Sequence, residues 1–180
     1  MIRRFANAAL ATGPLWGLLV GLSVAQAADA PRIAIFPFEI NDTSGEVRDL
    51  TQEQAARLTM VTDEVSSMLA ERGATIVDVS MHKPALATMP ELWQCDGCEA
   101  PLAREESAEI AITGMVHKMS TLVQSIALVA RDVDSGKIIG DASVSIRGDT
   151  DRAWRRGVRY IVKRDLLGPK VHANLRHIDE

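Results

Sequence analysis

Cysteine is nearly absent from this chain, with two among 180 residues, Cys95 and Cys98. No second Cys-x-x-Cys accompanies them, and two thiolates do not fill a zinc or copper site. Glu99 stands directly after the second Cys, where covalent haem attachment requires His, so a c-type haem is excluded. There is no Gly-rich or Walker-type phosphate loop, no Ser-His-Asp order in a recognisable local context and no paired catalytic carboxylates. No sequence repeat or low-complexity segment occurs. Nor is there an apolar run of the roughly 20 residues that a membrane-spanning helix needs, because Gly13, Pro14, Gly17 and Gly21 break up the most apolar stretch.

That broken stretch has another use. Arg3 and Arg4, the apolar segment Leu15 to Val24, and small residues at Ala25 and Ala27 form the three parts of a secretory signal. The expectation is a signal peptide over 1–27 and a periplasmic mature chain starting at Ala28; Ala28-Asp29-Ala30 also fits a cleavage site. Twin-arginine export would need residues around Arg3-Arg4 that are missing. No Cys follows the small residues to carry a lipid anchor, and no stable membrane insertion of the mature chain is expected.

Past the signal, eighteen Lys and Arg stand against twenty-four Asp and Glu, a net charge of −6 that speaks against nucleic acid as a partner. The charge is unevenly spread. Fifteen acids against five bases lie between Glu39 and Glu109, and nine bases against three acids between Arg147 and His177. An uneven field of this kind steers partners of opposite sign.

The apolar run Ile33 to Phe38 reads as a buried strand with Pro37 at its edge or end, followed by a polar turn over Asn41 to Gly45. Thr51 and Gln54 have capping-box spacing. Leu58, Val61, Thr62, Val65, Met68 and Leu69 then recur at helical intervals up to Gly73, a C-cap. Ala74 to Val79 supplies a second strand, in an order that favours a right-handed parallel crossover. Met81 to Glu106 is irregular, with short helices flanking the cysteines. Glu109 to Met119 and Leu122 to Val133 read as strands, and Asp134-Ser135-Gly136-Lys137 as a tight hairpin turn. After it, Ile138, Gly140, Ala142, Val144 and Ile146 alternate with polar positions, which predicts one buried face. The last helix opens at Asp149-Thr150-Asp151, read as its cap, and carries Trp154, Val158, Ile161 and Val162 on one side. The domain is expected over 28–168, with a polar tail over 169–180. The fold class is α/β: a single-domain mixed β-sheet in the order β-α-β-α-β-β-β-α with helices packed on it.

Three segments carry a resemblance: Arg32-Ile33-Ala34-Ile35-Phe36-Pro37-Phe38-Glu39, Ile112-Thr113-Gly114-Met115-Val116, and the hairpin Arg131 to Ile139. Their layout resembles a bacterial envelope superfamily that includes the TolB amino-terminal domain, the curli secretion channel subunit and the lipoprotein activators of penicillin-binding proteins. Within it, Cys95-Asp96-Gly97-Cys98-Glu99-Ala100, Ser145 to Asp151 and Trp154-Arg155-Arg156-Gly157 resemble a family of secreted proteins of unknown function, some encoded near quinoprotein alcohol dehydrogenases. The resemblance implies a mixed sheet with packed helices and action through protein contacts rather than catalysis. The lipid-attachment Cys of some members is missing, so tethering and pore formation are not implied.

Several candidate sites follow. In an oxidising compartment Cys95 and Cys98 read as a structural disulfide closing a four-residue loop. The alternative is a thiol-disulfide oxidoreductase, which a helix N-terminus would favour and Asp96 and Glu99 would oppose. A metal site completed by His82 and His117 lacks recognised spacing; no metal or cofactor is expected, and His172 and His177 fall on the tail. Arg147, Arg152, Arg155, Arg156 and Arg159, with Lys163 alongside, form a basic stripe suited to an anionic ligand or an acidic partner surface. Pairing of these bases with Asp149, Asp151 and Asp165 is the competing account. The function expected is a non-catalytic periplasmic accessory protein that binds another envelope protein.

Overall fold

In the computed structural model, residues 30–164 and Leu166 are described, so the expected signal segment 1–27 and the expected tail 169–180 lie outside the described residues. The elements are β1 (Arg32–Ile35), β2 (Glu39–Asp42), α1 (Thr51–Ala70), β3 (Thr75–Val77), a 3-10 turn (Ser80–His82), α2 (Lys83–Leu86), α3 (Glu99–Glu105), β4 (Ile110–Lys118), β5 (Val123–Asp132), β6 (Ile138–Arg147) and α4 (Asp151–Arg164). One six-stranded mixed sheet runs β3-β1-β4-β5-β6, with β2 also paired to β4. β1 lies parallel to β3 and β4, whereas β4, β5 and β6 form an antiparallel meander. The α/β class and the mixed sheet are as the sequence predicts.

The first strand differs from the expectation. Phe36 still donates its N–H to the Ile112 carbonyl at 2.9 Å, but Pro37 has no donor and the ladder breaks there. Pairing resumes one residue out of step, with Ile35 opposite Ile112 and Glu39 opposite Met115. One extra residue is thus accommodated as a bulge. Asn41 and Asp42, predicted as turn, belong to β2. At the displaced step the Phe38 ring lies over Gly114, where a Cβ would come within 2.4 Å of it. A glycine in a strand interior marks such a close approach.

Val61, Val65 and Leu69 of α1 and Trp154, Val158, Ile161 and Val162 of α4 pack against one face of the sheet, over Ile33, Ile112, Val116, Ile126 and Leu128. A smaller cluster on the other face joins Ala34, Phe36 and Ala111 to Leu92, Ala103 and Val133, with both cysteines against it. The predicted capping box is not formed: Asp49 Oδ1 accepts from the Thr51 N–H at 3.0 Å, while the Gln54 amide reaches Asp42 at 2.8 Å. Gly73 does adopt positive φ, +86°, just beyond α1. In the hairpin, a register shift at Ala130/Arg131 places Gly140 and Ile138 on successive partners. Ile139 consequently packs against the core and Ile138 is exposed, and the predicted alternation holds only from Gly140 onward. Irregularity beside a turn shifts every preceding side chain to the other face.

Candidate functional site

The charged residues that the chain places close together form three groups. The first is the outer side of α4. Its buried side is fixed by Ala153, Trp154, Gly157, Val158, Ile161 and Val162, all shielded from solvent. Helical periodicity then turns Arg152, Arg155, Arg156, Arg159 and Lys163 outward, where with Tyr160 and, at one end, Asp151 they line one shallow depression. Glu64 of α1 divides this stripe. Its carboxylate accepts from Arg159 at 2.5 Å and lies 3.9 Å from Arg155. Arg152, Arg156 and Lys163 meet no carboxylate among the described residues. Tyr160 is exposed, accepts from Arg164 at 2.8 Å and lies 5.3 Å below its guanidinium. Arg147 is not part of the depression; it ends β6 and faces solvent.

The segment Asp149-Thr150-Asp151 does cap α4, as the sequence predicts, but neither Asp149 nor Asp151, the first residue of the helix, pairs with the stripe. Thr150 caps the helix, its hydroxyl accepting from the Ala153 N–H at 3.2 Å. Asp149 and Asp151 hold Arg57 of α1 at 2.7 and 2.9 Å. Asp149 also belongs to the second group, around the fully buried ammonium of Lys118, which lies 3.1 Å from Glu46, 3.4 Å from Asp42 and 3.4 Å from Asp149. Burial works against the charged lysine, but these carboxylates outweigh it and raise its pKa. Burial also pushes Asp42 up, yet hydrogen bonds from Ser44 and Gln54 and the Lys118 charge hold it at about 2. Glu46 is lowered by Arg48 and then by Lys118. The cluster ties β2, β4, α1 and the β6–α4 loop together. Sequence periodicity does contain the signal for it: Ile110, Ile112, Gly114, Val116 and Lys118 share one side of β4.

The third group surrounds the cysteines, which form a disulfide. Cys98 precedes the first residue of α3, so the pair does stand at a helix start. The acids beside it are occupied by buried Arg131, which donates to Glu99 at 2.8 Å, to Asp96 at 2.5 Å and to the Gly136 carbonyl at 2.6 Å. Arg104 adds a bond to the Val133 carbonyl. Arg131 therefore pins the disulfide loop to the β5–β6 hairpin. On its other side the loop is held by Glu39, which accepts from the Leu92 and Trp93 N–H groups at 2.9 and 3.2 Å. Burial raises the Glu39 pKa, and those two hydrogen bonds partly offset the rise. A groove of about 330 Å³ lies between loop and sheet, lined by Trp93, Cys95, Met115, Val129, Arg131 and Ile138 among others.

The histidines go elsewhere. His82 is buried against Glu106 at 3.0 Å, and His117 meets the Thr43 hydroxyl at 3.0 Å. Among the described residues no group of three or more His, Cys, Asp or Glu side chains is placed to hold a metal ion, and no helix is long and apolar enough to cross a membrane. His172, His177 and Asp165 lie outside the described residues.

A search of curated protein sequences found no match. Among solved structures, the chain is similar to the C-terminal domain of LpoB from Salmonella enterica, at 15% identity and a TM-score of 0.43, covering 68% of this chain and 86% of that one. It is similar to a lipoprotein from Neisseria meningitidis, at 13% identity and a TM-score of 0.46, covering 67% and 82% respectively. A third likeness, to TolB from Acinetobacter baumannii, has 16% identity and a TM-score of 0.43 and covers 77% of this chain but 29% of TolB. Likenesses at this level say nothing of chemistry. A family model matches residues 31–166, and the chain belongs to that family, DUF3280, described as "Protein of unknown function (DUF2380)".

Proposed function

We propose that this is a non-catalytic accessory protein, exported to the periplasm by its N-terminal 1–27 signal, that binds another envelope protein through the outer side of α4. The observation behind this reading is the group Arg152, Arg156 and Lys163, which points outward around Tyr160 while neighbouring bases are matched by Glu64. Exposed Arg and aromatic side chains together suit a partner that offers carboxylates. The other charged clusters, around Lys118 and Arg131, are turned inward and hold the scaffold. The sequence resemblance suggests a periplasmic quinoprotein dehydrogenase or an envelope assembly system as the partner. Capture from envelope extract tests the reading: wild-type protein should retain a defined protein that the R152E/R156E/K163E variant loses. Recovery of the same proteins by both, with both folded by circular dichroism, removes α4 as the contact.

A second reading, a thiol-disulfide oxidoreductase using Cys95 and Cys98, draws on the placement of Cys98 at the start of α3 and of Cys95 in the groove. A reduction potential above about −200 mV would support it, and one below about −300 mV would leave the disulfide structural.

A further inference from the structure

β6 ends the sheet on one side, and none of the described residues pairs with its outer edge. The hydrogen bonds around β5 determine which of its backbone groups point outward. Met119 donates to Val123 at 3.2 Å on one side of β5, and Gly148 donates to Leu122 at 2.9 Å on the other. Bonded and non-bonded pairs alternate along an antiparallel ladder. With Gln124 opposite Ile146, Ile126 opposite Val144 and Leu128 opposite Ala142, it is Ala142, Val144 and Ile146 that bond inward to β5. Asp141, Ser143, Ser145 and Arg147 turn their N–H and C=O groups to the open side. The side chains of these four are exposed, whereas Ala142, Val144 and Ile146 pack into the core shared with α4.

Edge strands are usually blunted by Pro, a bulge or charged side chains, Lys above all. From Gly140 to Arg147 this edge has no Pro, no Lys and no bulge; its irregularity lies nearer the hairpin turn, at Ala130/Arg131. Its only charged residues are Asp141 and Arg147. A two-fold axis through Val144 sets Asp141 opposite Arg147 of a second copy and Ser143 opposite Ser145, and each of these pairs joins outward-pointing groups. A shift of two residues either way moves Asp141 or Arg147 opposite a serine. Hydrogen-bond parity and charge thus select the same register.

We infer that two copies of this chain associate antiparallel through β6, extending one sheet through both, with Asp141 of each copy paired to Arg147 of the other. The basic sides of both α4 helices then lie on one face of the dimer. One acidic partner could engage both.

An interface this small is at the weak end of specific association, with a dissociation constant of about 10–100 µM expected in sedimentation equilibrium. D141R and R147D each place like charges opposite one another twice and should weaken the dimer about tenfold, while the double variant D141R/R147D should return to within about threefold of wild type. S145P removes an outward donor without touching the β5 ladder and should give a monomer with an unchanged circular dichroism spectrum. In the wild type, hydrogen exchange at the Ser143, Ser145 and Arg147 amides should slow as concentration rises. Four results overturn the proposal: a wild type that stays monomeric to about 1 mM, a dimer indifferent to all these variants, failure of the double variant to recover, or exchange at those amides that does not depend on concentration. If S145P fails to fold, the exchange measurement decides. A partner strand occupying this edge in place of a second copy would appear as the first of those results.

Discussion

Lys118 shows how a single side chain can hold several elements. Its ammonium is fully buried at the end of a strand, and only the arrival of Asp42 and Glu46 from β2 and the turn after it, and of Asp149 from the β6–α4 loop, makes that position tolerable. K118M should therefore cost about 3–5 kcal/mol in urea denaturation, because it leaves the three carboxylates facing one another without the cation. Asp42 gives the cluster a pH signature. Its folded pKa of about 2 lies below the ordinary Asp value of 3.8, so its contribution is complete above that value and is lost as pH falls through the folded one. The stability deficit of D42N relative to wild type should thus be full at pH 5 and close progressively between pH 4 and pH 2. A deficit that persists unchanged at pH 2 would mean that Asp42 acts by shape rather than charge. Alternation along β4 makes the inward position of Lys118 legible, but the partners that neutralise it are remote in sequence.

At the scale of elements, the two halves of the first strand depend on a glycine in another. The β1–β2 bulge turns Phe38 onto β4, and Gly114 provides the space that its ring fills. G114A should destabilise by about 1–3 kcal/mol in chemical denaturation, and F38L/G114A should recover part of that loss, as expected for overpacking. Full additivity of the two changes would show that the residues do not compete for the same space. The strand-helix-strand order, the hairpin and the inner side of α4 were legible because each follows a period of 2 or 3.6 residues. The bulges were not, because an extra residue is specified by how neighbouring strands pair. The Thr51 capping box failed for a related reason. Asp49 is a closer acceptor, and Gln54 is drawn to Asp42, which is adjacent only in the folded chain.

For the whole molecule, the excess of acid before residue 109 and of base after residue 147 does not simply cancel. Glu64 pairs with Arg155 and Arg159, and Asp149 and Asp151 pair with Arg57, so α1 and α4 are joined at both ends of their contact. What remains on α4 faces outward. If an acidic partner is held there, its retention should fall steeply as salt rises from about 0.05 M to about 0.5 M, because exposed charges are screened over this range. The R152E/R156E/K163E variant should show a much shallower dependence. Retention that does not change with salt would point instead to the apolar groove beside Trp93.

The sequence by itself set the expectation of an export signal, argued against c-type haem attachment at Cys95 and Cys98, and determined the α/β class and the buried side of each long element, since these depend on composition and on periods within a dozen residues. It also identified the basic side of α4 as a stripe. Only the tertiary structure decided which of those bases Glu64 neutralises, that Arg147 stands apart from the stripe, and that Arg131 pins the disulfide loop to the hairpin. The same is true of the outer edge of β6. Each of these depends on which groups far apart along the chain do or do not meet within hydrogen-bonding distance, and no local pattern encodes that.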